Sequence, residues 1–135
     1  MSIQNQQLAP PANWQDFERL CHDLYQEIWG DPQAVRHGRT GQPQAGVDIY
    51  GHDRDGRFIG VQCKGKDGEI RAELTERELR DEVNKAKTFR PPIDVFILAT
   101  TAPPDVKIQQ VARDLDDEHK AIGIFRVHVI AWDTL

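Results

Sequence analysis

Two runs of sequence decide the reading of this chain: Gly46-Val47-Asp48-Ile49-Tyr50-Gly51 and Phe58-Ile59-Gly60-Val61-Gln62-Cys63-Lys64-Gly65-Lys66. The link between them, Asp53-Arg54-Asp55-Gly56, has strong turn chemistry, so the spacing predicts a β-hairpin. Asp48 falls on its first strand, Gln62 and Lys64 on its second. Side chains alternate across a strand, so Gln62 and Lys64 share one face and Cys63 points to the other. The polar set sits among Val47, Ile49, Ile59 and Val61, which should be buried. Gly46, Gly51 and Gly60 would let a ligand or another backbone come close.

A carboxylate, an amide oxygen and an ammonium at one sheet end can hold a hard divalent cation and steady a water beside it. That is the equipment of phosphodiester hydrolysis. Asp48 is the first ligand candidate, and Gln62 can ligate through its side-chain carbonyl. The backbone carbonyls of Val61 and Cys63 are further donors, that of Cys63 preferred. Lys64 is placed to orient the water or to stabilise developing negative charge. Gln62 lacks the formal charge that a carboxylate would bring. Glu18 could supply it if the first helix turned that residue toward the hairpin. Spacing alone makes Glu18 an ordinary exposed acid at the edge of an apolar stripe.

The flanking elements follow from periodicity and caps. Asn13 caps a first helix that runs to about Trp29 and ends at Gly30. Trp14, Phe17, Cys21, Leu24 and Ile28 form its expected inner stripe. Residues 1 to 12 are rich in Gln and Pro and predict a frayed tail. Ala34 to Arg39 is a candidate edge strand, and Thr40 to Ala45 a loop. Thr75 and Glu78 form a capping box for a second helix to about Phe89, with Leu79, Val83 and Ala86 inward. Ile93 to Thr100 is nearly all apolar, as a strand covered on both faces is. Asp105 caps a third helix carrying Ile108, Val111, Ala112 and Leu115, and Ile124 to Trp132 is a last strand. Helices alternating with buried strands predict an α/β protein, a mixed sheet between helical layers.

With 135 residues, 39% apolar and 29% charged, the chain fits one soluble globular domain. No apolar run approaches the ~20 residues of a membrane helix, and no signal peptide opens the chain. Cys21 and Cys63 lack zinc-site spacing and read as reduced core thiols of a cytoplasmic protein. The net charge of −5 argues against a general nucleic-acid coat protein. Residues 34 to 66 nevertheless carry six Arg and Lys (Arg36, Arg39, Arg54, Arg57, Lys64, Lys66) against three Asp. Charge alone leaves two readings open: six basic residues simply solvated in a turn-rich region, or a surface for a phosphate backbone with Arg36, Arg39 and Lys66 as its candidate contacts. No helix reads as a groove-reading element, so little base specificity is expected.

Taken together, Gly46-Val47-Asp48-Ile49 and Val61-Gln62-Cys63-Lys64 resemble the PD-(D/E)xK nuclease superfamily. They are similar to its Mrr-like branch, which carries Gln-x-Lys. Phe17-Glu18 matches that branch's Phe-Glu pair on the first helix. Leu98-Ala99-Thr100-Thr101 and Val129-Ile130-Ala131-Trp132 fit its later strands. The resemblance runs from about residue 13 to the end. One departure is the loop Gly41-Gln42-Pro43-Gln44, where the branch usually has Gly-Asp; Gln44 is given no role.

The resemblance implies a restriction-endonuclease-like three-layer α/β/α fold over residues 13–135. It implies Mg²⁺-dependent cleavage of DNA, most naturally double-stranded, with Mn²⁺ as a substitute ion. Asp48, Gln62, Lys64 and Glu18 carry over as catalytic or metal-binding residues. It further implies the N-terminal effector domain of a longer bacterial restriction or anti-phage defence protein, fused to a sensor or NTPase module. Cutting both strands needs two active sites, so a homodimer or higher homo-oligomer is expected. The alternatives are a catalytically silent module of the same fold that binds nucleic acid or a partner, and an RNase.

Overall fold

The computed structural model describes residues 14–31, 35–36, 47–64, 74–102 and 105–131; of residues 14–17, 35 and 36 it describes the backbone only. The elements are α1 (Trp14–Trp29), β1 (Val35–Arg36), β2 (Ile49–His52), β3 (Phe58–Lys64), α2 (Glu76–Ala86), β4 (Val95–Thr100), α3 (Val106–Ile122) and β5 (Arg126–Ala131). The expected tail, the Asn13 cap, the 40–45 loop with Gln44, and Trp132 lie outside the described residues.

The strands stand in chain order, β1-β2-β3-β4-β5. β1, β2 and β3 pair antiparallel, whereas β3, β4 and β5 pair parallel. The sheet is therefore mixed, and β3 is where its sense changes. Two apolar clusters mark its two faces. Cys21, Tyr25 and Trp29 of α1 pack with Ile49, Ile59, Val61, Cys63, Val95, Ile97 and Ala99. Residues of α2 and α3, among them Leu79, Val83, Ile108, Val111 and Leu115, pack with Val47, Phe96, Leu98, Val127 and Val129. Both parallel crossovers thus lay their helix on one face, the arrangement expected of two right-handed connections taken in the same direction.

Local signals act as expected at most element ends. The Thr75 hydroxyl accepts from the Glu78 N–H at 3.1 Å, and the Glu78 carboxylate accepts from the Thr75 N–H at 3.1 Å, closing the capping box. The Asp105 carboxylate accepts from the Lys107 N–H at 2.8 Å. Gly30 ends α1 at φ +66°. The Asp53 carboxylate accepts from the N–H groups of Asp55 and Arg57, each at 2.9 Å, folding the hairpin turn on itself. All six residues of β4 are buried.

The first helix departs from expectation. Among its described side chains the buried stripe is Glu18, Cys21, Tyr25 and Trp29, of which only Cys21 belongs to the expected stripe. Leu24 is half-buried, Ile28 is 51% exposed, and the Trp14 and Phe17 side chains lie outside the described residues. Steps of 3, 4 and 4 keep this line on one side of a 3.6-residue helix. The line through Phe17, Leu24 and Ile28 lies about one residue away. Apart from Glu18 both lines are apolar, so hydrophobic spacing alone could not choose between them. Glu18 consequently sits inside the buried stripe, only 4% exposed, and not at its edge.

Candidate functional site

Asp48 sits immediately before β2, where the strand pattern breaks. In a regular strand Val47 and Ile49 would face the same way. Here Val47 packs in the α2/α3 cluster and Ile49 in the α1 cluster. Ile49 pairs with Val61, yet the Asp48 N–H also donates to the Val61 carbonyl at 2.8 Å. Two residues thus address one, as in a β-bulge, and a bulge re-aims the side chain it carries. Placing Asp48 on the first strand is corrected in this sense: the strand proper starts at Ile49. Gly60 makes room for the shift. A Cβ there would meet the Val47 methyls at 3.1 and 3.2 Å.

The re-aimed carboxylate, 2% exposed, accepts from the Cys63 N–H at 2.9 Å. It takes the place of the ladder carbonyl that a longer β2 would have offered. A strand residue points its N–H and C=O to the same edge. The Cys63 carbonyl therefore faces the edge on which Asp48 sits. The Lys64 carbonyl faces the opposite edge, where the Thr100 hydroxyl donates to it at 2.9 Å. That hydroxyl also accepts from the Ala102 N–H at 3.0 Å, so Thr100 ties the ends of β3 and β4 together.

Gln62 and Lys64 leave β3 on the α2 side. The Gln62 Oε1 is buried and has no hydrogen-bond partner. Lys64 Nζ lies 3.7 Å from Glu78 Oε2 and 3.8 Å from Glu82 Oε1. Both separations exceed the ~2.8 Å of a charge-assisted hydrogen bond, so the ammonium is attracted but not locked. Glu82 is 4% exposed, its Oε1 is 3.4 Å from Lys85 Nζ, and its Oε2 is buried without a hydrogen-bond partner.

Glu18 approaches from the other face. The Cys63 thiol is pushed well above its ordinary range, first by its hydrogen bond with Cys21 and by burial. The negative charges around it, Asp48 and Glu18 among them, add to the effect. Both carboxylates therefore bear on Cys63, with Asp48 at the strand edge and Glu18 on the α1 side. Asp48, Gln62, Lys64 and the Cys63 main chain come together at one end of β3. Glu18 comes to the same strand but to its opposite face from Gln62 and Lys64. Both cysteines are free and buried, in line with reduced core thiols.

Arg39 and Lys66 lie outside the described residues, and of Arg36 only the backbone is described. Arg54 and Arg57, counted with the basic segment, do not border the site. They occupy the hairpin tip, about 20 Å from Lys64 at ~3.3 Å per strand residue. There Arg54 Nε donates to the Ile28 carbonyl at 3.1 Å, and Arg57 Nε to the Asp53 carboxylate at 2.8 Å.

Glu82 and Glu78 are the site-facing residues that sequence reasoning missed. Glu78 was absorbed by its capping role. Glu82 carried a usable signal, since it falls on the apolar line Leu79-Glu82-Val83-Ala86 of α2, where a lone acid should not be buried without reason.

Among the described residues no group of three or more His, Cys, Asp and Glu is gathered as a metal-ligand set. A hard cation that keeps several waters needs fewer protein donors than that. A buried, unsatisfied Gln62 oxygen, on the residue next to the one whose main chain the Asp48 carboxylate addresses, fits such an ion. Among the described residues no helix is long and apolar enough to cross a membrane. Comparison of the chain with protein-family models, with curated proteins and with solved structures finds no match in any of the three.

Proposed function

We propose that this chain is a metal-dependent endonuclease of restriction-endonuclease-like fold, hydrolysing DNA phosphodiester bonds with low intrinsic sequence specificity. One observation carries the reading. The sheet breaks its alternation at Asp48 and turns a buried carboxylate onto the Cys63 main chain, and the preceding residue of β3, Gln62, carries a buried amide oxygen that has no partner. Bulges and unsatisfied buried groups both cost stability, and they persist where a ligand makes use of them.

Asp48 Oδ, Gln62 Oε1 and the Cys63 carbonyl are the residues that would hold Mg²⁺, with Mn²⁺ able to substitute. When bound, the ion supplies charge neutralisation at the scissile phosphate and a more acidic water. Lys64 stands next along the same face as Gln62. Its ammonium donates to the attacking water or to a non-bridging phosphate oxygen, releasing its loose contacts with Glu78 and Glu82. The water oxygen bonds to phosphorus as its proton passes to solvent, one P–O ester bond breaks, and the departing oxygen takes a proton from solvent. Lys suits this work because it is a compact charge on a flexible stem. Thr100 fixes the strand end from which Lys64 projects.

The test is nicking of supercoiled plasmid with and without Mg²⁺, run beside an RNA substrate. Asp48→Ala and Lys64→Ala should each abolish Mg²⁺-dependent nicking while the protein stays folded. Full activity in either variant would remove the mechanism, and preferential cleavage of RNA would make it an RNase.

A second reading is favoured by one feature: two carboxylates already attend Lys64, in a chain of net charge −5. A silent module of the same fold would bind nucleic acid or a partner without cutting. Titration calorimetry separates the two, because the silent module would retain nucleic-acid binding with no heat of Mg²⁺ or Mn²⁺ binding.

A further inference from the structure

We infer that Glu82, from helix α2, supplies the second acid of the cation site, in place of the carboxylate that Gln62 lacks. This rests on the cation reading of Asp48 and Gln62 given above and adds a donor to it. Glu82 is 4% exposed on a helix whose other inward residues are Leu79, Val83 and Ala86. An acid so placed is costly unless both oxygens are used. Only one is: Oε1 faces Lys64 Nζ at 3.8 Å and Lys85 Nζ at 3.4 Å, while Oε2 is buried with nothing to accept from.

The second unsatisfied oxygen of this region is Gln62 Oε1. Gln62 shares the α2 side of β3 with Lys64, the residue Glu82 addresses. Two buried acceptors with no donor, on one side of one strand end, are what a cation would satisfy and what a hydrogen-bond donor has not. Glu78, one helical turn earlier, is a poorer choice. Its Oε1 is committed to the Thr75 cap at 3.1 Å, and its side chain is 25% exposed. Glu18 reaches β3 on the opposite face. The donor set that results is Asp48, Gln62, Glu82 and the Cys63 carbonyl, with two formal charges to match a divalent ion.

The experiment is Mn²⁺ titration of the full chain by calorimetry, paired with Mn²⁺-induced thermal shift, neither of which needs turnover. Wild type should bind, Asp48→Asn should not, and Glu82→Gln should bind about 10- to 100-fold more weakly. The double variant Gln62→Glu with Glu82→Gln should recover affinity, because it moves the acid from α2 to β3 and restores the charge count. If Glu82→Gln folds poorly by circular dichroism, Glu82→Asp is the variant to read. It keeps the charge near Lys64, withdraws the oxygen, and should show the same loss. Unchanged Mn²⁺ affinity in the folded Glu82 variants, with Asp48→Asn still deficient, would overturn the inference and leave the nuclease proposal standing. So would failure of the double variant to recover. Absence of Mn²⁺ binding by wild type would overturn both.

Discussion

Replacing Asp48 separates what its carboxylate does for the fold from what it does for a cation. In the folded chain one oxygen accepts from the buried Cys63 N–H at 2.9 Å. Asp48→Ala leaves that N–H without an acceptor in a place water does not reach, since Asp48 is 2% and Cys63 6% exposed. An orphaned buried donor costs about 1–3 kcal/mol. For a domain of this size each kcal/mol lowers Tm by about 4 °C, so a drop of roughly 4–12 °C is expected. Asp48→Asn keeps an amide oxygen where the carboxylate oxygen stood, so its loss should stay below about 1 kcal/mol. Both variants lose the charge, so both should lose Mg²⁺-dependent nicking and the Mn²⁺-induced rise in Tm. The assay is urea or thermal unfolding of the three proteins, each with and without Mn²⁺. Equal stability of Asp48→Ala and Asp48→Asn would refute the claim that Cys63 depends on this acceptor. A full Mn²⁺ response in Asp48→Asn would refute the claim that the same carboxylate serves the ion.

Three further outcomes follow from parts of the fold outside the site. Asp116 accepts from Arg126 Nε at 2.7 Å, a second Arg126 nitrogen at 2.6 Å and the Val127 N–H at 2.9 Å. The Arg126 guanidinium beside it holds its carboxyl down at about 2, from an ordinary 3.8. The unfolded chain therefore takes up this proton first as pH falls. The contribution is present above about pH 4 and is lost as pH falls toward 2; because the Arg126 side chain is 43% exposed, about 1 kcal/mol is expected. Asp116→Asn should flatten that part of an acid-unfolding curve. Thr75→Ala opens the capping box and should cost about 1 kcal/mol in urea unfolding, with earlier hydrogen exchange in the first turn of α2. Gly30→Ala forces a Cβ into the left-handed region and to 2.9 Å from the Arg54 guanidinium, which must give way. The backbone term alone is about 1–2 kcal/mol, and wild-type stability in this variant would contradict the positive φ.

The fold was legible where local chemistry and tertiary packing agree. Thr75, Asp105 and Gly30 announce helix ends by their own hydrogen-bonding or conformational needs, and β4 announces burial on both faces by being apolar throughout. The face of α1 was not legible, because Leu24 and Ile28 compete with Tyr25 and Trp29, and only the sheet decides which line turns inward. The same ambiguity hid Glu18. At the site, Gln62 and Lys64 could be placed on one face from strand period alone. The bulge at Asp48 could not, since an extra residue leaves no mark in composition. It shows only when Val47 and Ile49 are found on opposite sides. The Lys64–Glu82 approach joins residues from different elements, and no period within one element encodes it.

Each strand stands beside the one made just before it. A chain emerging from the ribosome can therefore lay down its sheet in the order of synthesis, with no gap inside the sheet left for a later strand. Only the β2–β3 hairpin is a short-range pairing; Ile59 waits for Val95 and Val95 for Arg126, so each parallel edge stays open until its crossover helix has been made.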